Sequence, residues 1–292
     1  MKKKDLALDL LEMALAKKDE PVALATALIA LDRLTQTRPE HALAHYAAGR
    51  VLMLMRQHQL AMGAFRIASQ HDPALVDAYY YEGVCHHALG FDDLALDRVI
   101  HARTLDPTHF LAWYDEGQLL FERGEDRGSY IAFERARALR PDDFGATKKC
   151  LQQAIRLGRW EVANTLHERL REIWRTSDEP EVRGARSVVI DQFEVGRHDV
   201  LAVETLAPAG DPEVLMTFVV TLGGKIHFTV NLESSAVLRL GGHRAILAVQ
   251  GPGGRITTEF RYASRPGYHL LRPDVEALVK RLVKVRAIEE PT

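Results

Sequence analysis

Pro39, Pro73, Pro107 and Pro141 stand 34 residues apart, and a chain that keeps such an interval over three steps folds as a series of like units rather than around one irregular core. Other columns share the register. Gly49, Gly83 and Gly117 repeat at 34, as do Ala61 and Ala95 with Ser129 next, Phe65 with Val99 and Phe133, and Ala68, Ala102 and Ala136. A second glycine column holds Gly90, Gly124 and Gly158. The register defines three full units, 42–75, 76–109 and 110–143.

Each column has a physical task. Small residues at the first glycine and at the alanine positions let two antiparallel helices approach closely, and the second glycine supplies the left-handed backbone that ends the first helix. Proline opens the next unit. One such unit cannot bury its apolar face alone, so neighbours stack. The segment WYDEGQLLFERGEDRGSYIAFERARALRP, from Trp113 to Pro141, resembles the tetratricopeptide repeat, W-x2-L-G-x2-Y…A-x3-F-x2-A…P. Residues 5–37 keep the two-helix spacing with Ala27 in the alanine column, but Leu15 replaces the glycine and Leu34 the last alanine, as in an N-terminal capping repeat. Residues 144–175 fit with Gly158 and Ala163, while Leu151 and His167 depart from the pattern. Five helical pairs ending near Trp174 follow.

The resemblance implies an all-α superhelix, a helical-pair solenoid, whose concave face is lined by the first helix of each pair. Its groove positions are the second, fifth, ninth, twelfth and thirteenth of each unit. In this chain they are Leu43, Tyr46, Arg50, Met53 and Leu54; then Asp77, Tyr80, Val84, His87 and Ala88; then Leu111, Tyr114, Gln118, Phe121 and Glu122. Tyr46, Tyr80 and Tyr114 make a ladder, flanked by Met53, His87 and Phe121. Aromatic and methionine side chains offer large contact areas at modest entropic cost. The resemblance stops short of the carboxylate clamp that holds chaperone tails, which has Lys at the fifth position and Asn at the ninth. Here those positions are Tyr46 and Arg50, then Tyr80 and Val84.

Composition narrows the partners. Lys and Arg number 38 against 40 Asp and Glu in 292 residues, and the balance holds on both sides of Thr176, with 24 basic and 25 acidic residues before it. A nucleic-acid or anionic-membrane protein concentrates positive charge somewhere, so a protein or peptide partner is expected, with no nucleic acid and no membrane. No run of eighteen apolar residues exists, against a membrane span. The opening MKKKDLALDLLEMALAKKDE carries Asp5, Asp9 and Glu12 within its apolar stretch, so it reads as an amphipathic helix. Cys85 and Cys150, 65 residues apart and without a CxxC, read as buried thiols of a reducing, cytoplasmic protein.

After Trp174 the period changes. RTSDEPEVRGARS is polar, with Pro180 and Gly184, and serves as a linker, so the expected domains are 1–177 and 178–292. Beyond it SVVIDQFEV, HDVLAVETL, EVLMTFVVTL, KIHFTVNLES, RAILAVQ and ITTEFRYA are β-branched and aromatic runs. Gly223-Gly224 and Pro252-Gly253-Gly254 mark hairpin turns, which predicts an antiparallel sheet. RPDVEALVKRLVKVR places Val275, Leu278, Val279, Leu282 and Val283 on one face of a last helix, with Pro273 in its first turn. The second domain is therefore expected to be α+β, with that helix covering the sheet.

No catalytic constellation, metal site or cofactor motif emerges. His198-Asp199 lacks the spacing of an HxD iron motif, no G-x-S-x-G is present, and GPGGR at 251–255 has neither the length nor the Lys-Ser/Thr ending of a P-loop. His227, His243 and His269 are scattered. The expected function is non-enzymatic: an adaptor or scaffold that captures a protein segment in the repeat groove. The alternative is a ligand-binding or enzymatic module at 178–292, with the repeats recruiting its substrate. Self-association through the apolar N-terminal pair or an open sheet edge is the third course.

Overall fold

The computed structural model describes residues 5–179, 182, 187–195, 198–205, 216–222, 225–234, 243–251, 254–262 and 272–281; for most of the sheet it describes the backbone alone. Ten helices come first: α1 Leu6–Ala16, α2 Pro21–Thr37, α3 Ala42–Leu54, α4 His58–His71, α5 Val76–Ala88, α6 Asp92–Leu105, α7 Phe110–Glu122, α8 Asp126–Leu139, α9 Phe144–Arg156 and α10 Trp160–Thr176. Six strands follow: β1 Ser187–Val195, β2 His198–Thr205, β3 Met216–Leu222, β4 Lys225–Ser234, β5 His243–Gly251 and β6 Gly254–Tyr262. A final helix, α11, occupies 272–281. By contact the chain divides into two compact units, Met1–Arg140 and Pro141–Thr292.

In the first unit the sequence columns become helix contacts. A Cβ added at Gly49 would meet Phe65 Cε1 at 2.7 Å, one at Gly117 would meet Phe133 Cδ1 at 2.8 Å, and one at Gly83 would meet Val99 Cγ2 at 3.0 Å. Glycine and its partner sixteen residues on are thus one feature, the closest approach of the two helices in each pair. Ala61, Phe65, Ala68, Ala95, Ala102, Phe133 and Ala136 are all buried beside these contacts.

The turns inside the pairs also follow the register. Gly90, Gly124 and Gly158 take φ of 82°, 76° and 67°, and Arg56 holds the same position in the unit before them with φ 58°. Glycine carries little penalty there, whereas a side chain strains the backbone. Helix starts are fixed locally: Asp5 accepts from the Ala7 N–H at 2.9 Å and Asp143 from the Ala146 N–H at 2.7 Å, satisfying donors that a helix leaves unpaired.

The terminal pair α1–α2 buries Ala7, Leu11, Ala14, Leu24, Ala27 and Leu31 but leaves Leu6 59% and Val22 80% exposed. Among the described residues no helix is long and apolar enough to cross a membrane.

The second unit joins α9 and α10 with the sheet. The sheet is an antiparallel meander in the order β1-β2-β3-β4-β5-β6, the arrangement that short consecutive strands with tight turns favour. Leu222 pairs with Lys225 and Gly251 with Gly254, so two hairpins close where the glycine signals stand; residues 223–224 and 252–253 lie outside the described ones. A bulge between Val189 and Asp191 shifts the alternation of β1, after which Asp191, Phe193 and Val195 are buried and Gln192 and Glu194 exposed.

Two side chains tie helices to this edge. Gln152 of α9 donates from Nε2 to the Val189 carbonyl at 2.8 Å. Arg272, at the start of α11, pairs through Nε with Asp191 Oδ2 at 3.1 Å and lies 4.6 Å from the Phe193 ring centroid. Val275, Leu278 and Val279 of α11 are buried, in keeping with the predicted apolar face; Leu282 and Val283 lie outside the described residues.

Candidate protein-binding face

The face begins with a continuous set of rings. Tyr46 of α3 lies 5.9 Å from Phe65 and 6.0 Å from Tyr81 of α5, and Tyr81 lies 4.8 Å from Tyr80. Tyr80 in turn lies 5.0 Å from His109, the residue that opens α7. The first helices of successive pairs therefore contact one another directly, and their aromatic side chains form the floor between them. Tilted and edge-on arrangements at these separations are favourable ring geometries.

The rungs of the tyrosine ladder differ. Tyr46 and Tyr80 are only 6% and 5% exposed, whereas Tyr114 is half-buried, edge-on to Phe133 at 5.4 Å and tilted to Phe110 at 6.0 Å. Burial pushes the Tyr46 phenol up to about 12, with Arg50 opposing and Asp77 adding to the shift. It also raises Tyr80, with the Asp115 carboxylate adding to the effect. Both phenols stay neutral donors and acceptors at ordinary pH.

Their hydroxyls are committed to the scaffold. Tyr80 Oη donates to Asp115 Oδ2 of α7 at 2.6 Å, and Arg50 Nη1 donates to Tyr46 Oη at 2.9 Å. Burial holds the Asp115 carboxyl above its ordinary value, while the Tyr80 hydrogen bond acts the other way. Arg50 also stacks on Tyr81, its guanidinium carbon 4.0 Å from the ring centroid, a cation–π contact.

A second link joins the same two helices. His109 Nδ1 accepts from the Ala112 N–H at 3.0 Å and so caps α7. The ring proton is then on Nε2, which donates to Asp77 Oδ1 of α5 at 3.1 Å. The histidine has one tautomer because the helix cap takes the lone pair of the other nitrogen.

The remaining positions expected to line a groove differ in exposure. Leu43 and Met53 of α3 are half-buried against the core. Leu111 is 38% exposed, and Phe121 is half-buried one face-length further along α7. His87 is exposed and pairs through Nδ1 with Asp92 Oδ1 at 2.8 Å. Gln118 Nε2 donates to Glu122 Oε1 at 2.6 Å.

Residues outside the family's groove positions matter as much. Tyr81 and Asp115 occupy the sixth position of their units, one past the tyrosine ladder, and His109 ends its unit. Glu82 and Glu116, 34 apart, are buried at 4% and 6% exposure. Arg103 grips Glu116 with two donors, Nε to Oε2 and Nη2 to Oε1, the latter at 3.1 Å, and stacks 4.4 Å over Trp113. Arg98 Nε faces Glu82 Oε1 at 3.7 Å and His86 Nε2 faces it at 3.8 Å. The recurrence of glutamate at 82 and 116 was the signal available in the sequence. Among the described residues no three His, Cys, Asp or Glu side chains are placed to hold a metal ion.

No family model and no curated relative matches the chain. Solved structures do. MamA, residues 41 to the end, from Desulfovibrio magneticus RS-1 is 18% identical with a TM-score of 0.51, the likeness covering 60% of this chain and 96% of that one. A MamA RS-1 double mutant gives 18% and 0.52 over 59% and 95%. PilF of Pseudomonas aeruginosa is 15% identical with a TM-score of 0.51 over 60% and 79%. Identities this low speak for the fold, and they agree with the 34-residue register and with the glycine–phenylalanine contacts inside the pairs. The helical part of this chain has the tetratricopeptide-repeat fold.

Proposed function

We propose that the chain is a non-enzymatic adaptor and that the face formed by α3, α5 and α7 captures a segment of a partner protein. The observation that carries this reading is the division of labour on the face. Tyr46 and Tyr80 are buried and hydrogen-bonded, which fixes the floor, while Leu43, Met53, Leu111, Tyr114 and Phe121 retain surface above it. A rigid aromatic floor lowers the entropic cost of association. Scattered apolar side chains above it supply anchors.

Affinity capture with the full-length chain tests the reading. A variant carrying Met53→Glu, Leu111→Glu and Phe121→Glu should lose the partners that the unaltered chain retains, with its helical circular dichroism preserved. Partners that survive all three changes would move the function to another surface, the sheet of the second unit first.

A further inference from the structure

We propose, building on the groove reading above, that the α3 end of the face takes an acidic side chain of the partner, an Asp or Glu with apolar neighbours on both sides, at Arg50. The case starts from charge. Asp77 receives the His109 proton at 3.1 Å, Asp115 receives the Tyr80 hydroxyl at 2.6 Å, His87 pairs with Asp92 at 2.8 Å, and Gln118 bonds Glu122 at 2.6 Å. Each polar group at those places has its counterpart within the molecule. Arg50 differs: among the described residues it forms no ion pair, and its hydrogen-bonding partners are the neutral hydroxyls of Tyr46 and Tyr81. A guanidinium carries five donors, and two neutral hydroxyls neither use them all nor balance its charge.

Arg50 is also held in place. Stacking on Tyr81 at 4.0 Å and the bond to Tyr46 fix a side chain that would otherwise be mobile, so little rotamer freedom is left to lose on binding. A partner laid over the half-buried Arg50 strips water from its charge. Without a carboxylate in return, that desolvation opposes binding. Specificity therefore comes from exclusion as well as attraction: neutral or basic segments are rejected at this point, and a carboxylate makes short, charge-assisted hydrogen bonds.

The flanks select the source of the carboxylate. Leu43 lies two turns before Arg50 and Met53 one turn after it, and both are half-buried. A side-chain carboxylate within a segment lets apolar residues cover both, whereas a chain terminus would leave one bare.

The test pans the full-length chain against two randomised twelve-residue peptide display libraries, one fused at its C-terminus and one with the C-terminus free. Enrichment of fused peptides with Asp or Glu between apolar residues is expected. A synthetic peptide of that kind should bind at least tenfold more weakly when its Glu is made Gln, by fluorescence anisotropy. Arg50→Gln should erase that difference, and Arg50→Lys should restore only part of it. Should Arg50→Gln fail to fold, the Glu and Gln peptides compared on the unaltered chain still decide. Enrichment only with free C-termini, or equal binding of both peptides, overturns the acidic assignment; the groove reading then stands if Leu111→Glu still abolishes binding. No enrichment in either library, or binding indifferent to Leu111→Glu, overturns both.

Discussion

Tyr80 and Asp115 share a hydrogen bond of 2.6 Å between helices of successive repeats, and the carboxyl involved is raised above its ordinary value by burial. A hydroxyl–carboxylate bond of this kind contributes about 1.5–3 kcal/mol, and losing the donor leaves the acceptor poorly solvated. Tyr80→Phe should therefore destabilise the protein by about 2 kcal/mol in urea denaturation.

Asp115 affects stability with pH in the opposite sense from a carboxylate whose value folding depresses. Its folded-state value lies above the unfolded one, so the folded chain binds more protons in the window between them. The resulting stability is full below the unfolded value and is lost as pH rises through the folded one. Asp115→Asn keeps an acceptor for Tyr80 but removes the titration. Its stability relative to the unaltered chain should rise from pH 4 to pH 7; a gap that stays constant over that range would refute the assignment.

The contact of Gly117 with Phe133 makes the third prediction. A methyl group at 117 would fall 2.8 Å from the ring, and overpacking of this sort costs about 1–3 kcal/mol. Gly117→Ala should be partly rescued by Phe133→Leu, giving a coupling of about 1 kcal/mol in a double-mutant cycle. At Gly83 the new Cβ would also meet the Ala95 carbonyl oxygen at 3.1 Å. A backbone oxygen cannot yield as a ring can, so Val99→Ala should rescue Gly83→Ala far less.

Arg56 gives the fourth. It holds φ 58° at the position where Gly90, Gly124 and Gly158 hold 67–82°, and the left-handed backbone costs a side chain about 1 kcal/mol. Arg56→Gly should stabilise by about 0.5 kcal/mol once the greater freedom of the unfolded chain is counted. Gly90→Ala and Gly124→Ala should each destabilise by about 1 kcal/mol, measured by thermal unfolding.

These cases show what the sequence makes legible. The glycine column found the left-handed turns because backbone sterics act on the residue itself, and it missed Arg56 because the fold imposes that conformation from outside. Strands β1 and β4 coincide with SVVIDQFEV and KIHFTVNLES, since β-branched runs bounded by glycine signal a strand without tertiary help. The face is harder to read. The groove positions come from family resemblance, which gives Tyr46, Tyr80 and Tyr114 one status, yet Tyr81 packs on both Tyr46 and Tyr80, and Asp115 and His109 engage Tyr80 from α7 and its cap. Those residues act across repeats, and no local pattern announces a Tyr80–Asp115 bond spanning 35 residues.

The fifth prediction concerns Cys85, whose thiol is buried and pushed up to about 12, by loss of solvation first and the nearby Glu82 charge second. Only the thiolate attacks a disulfide reagent, so burial and the lack of ionisation both protect it. Cys150 is 1% exposed. The native chain should thus give almost no signal with Ellman's reagent at pH 8, and two thiols should appear when urea unfolds it. Reactivity at pH 8 measures opening of the helices around Cys85 rather than the thiol itself, because in the closed state the thiol is buried and held protonated. Gly83→Ala, two residues away on α5, should therefore raise the labelling rate about tenfold for each 1.4 kcal/mol of stability it removes. Fast labelling of the unaltered native protein would show that α5 is not packed as described.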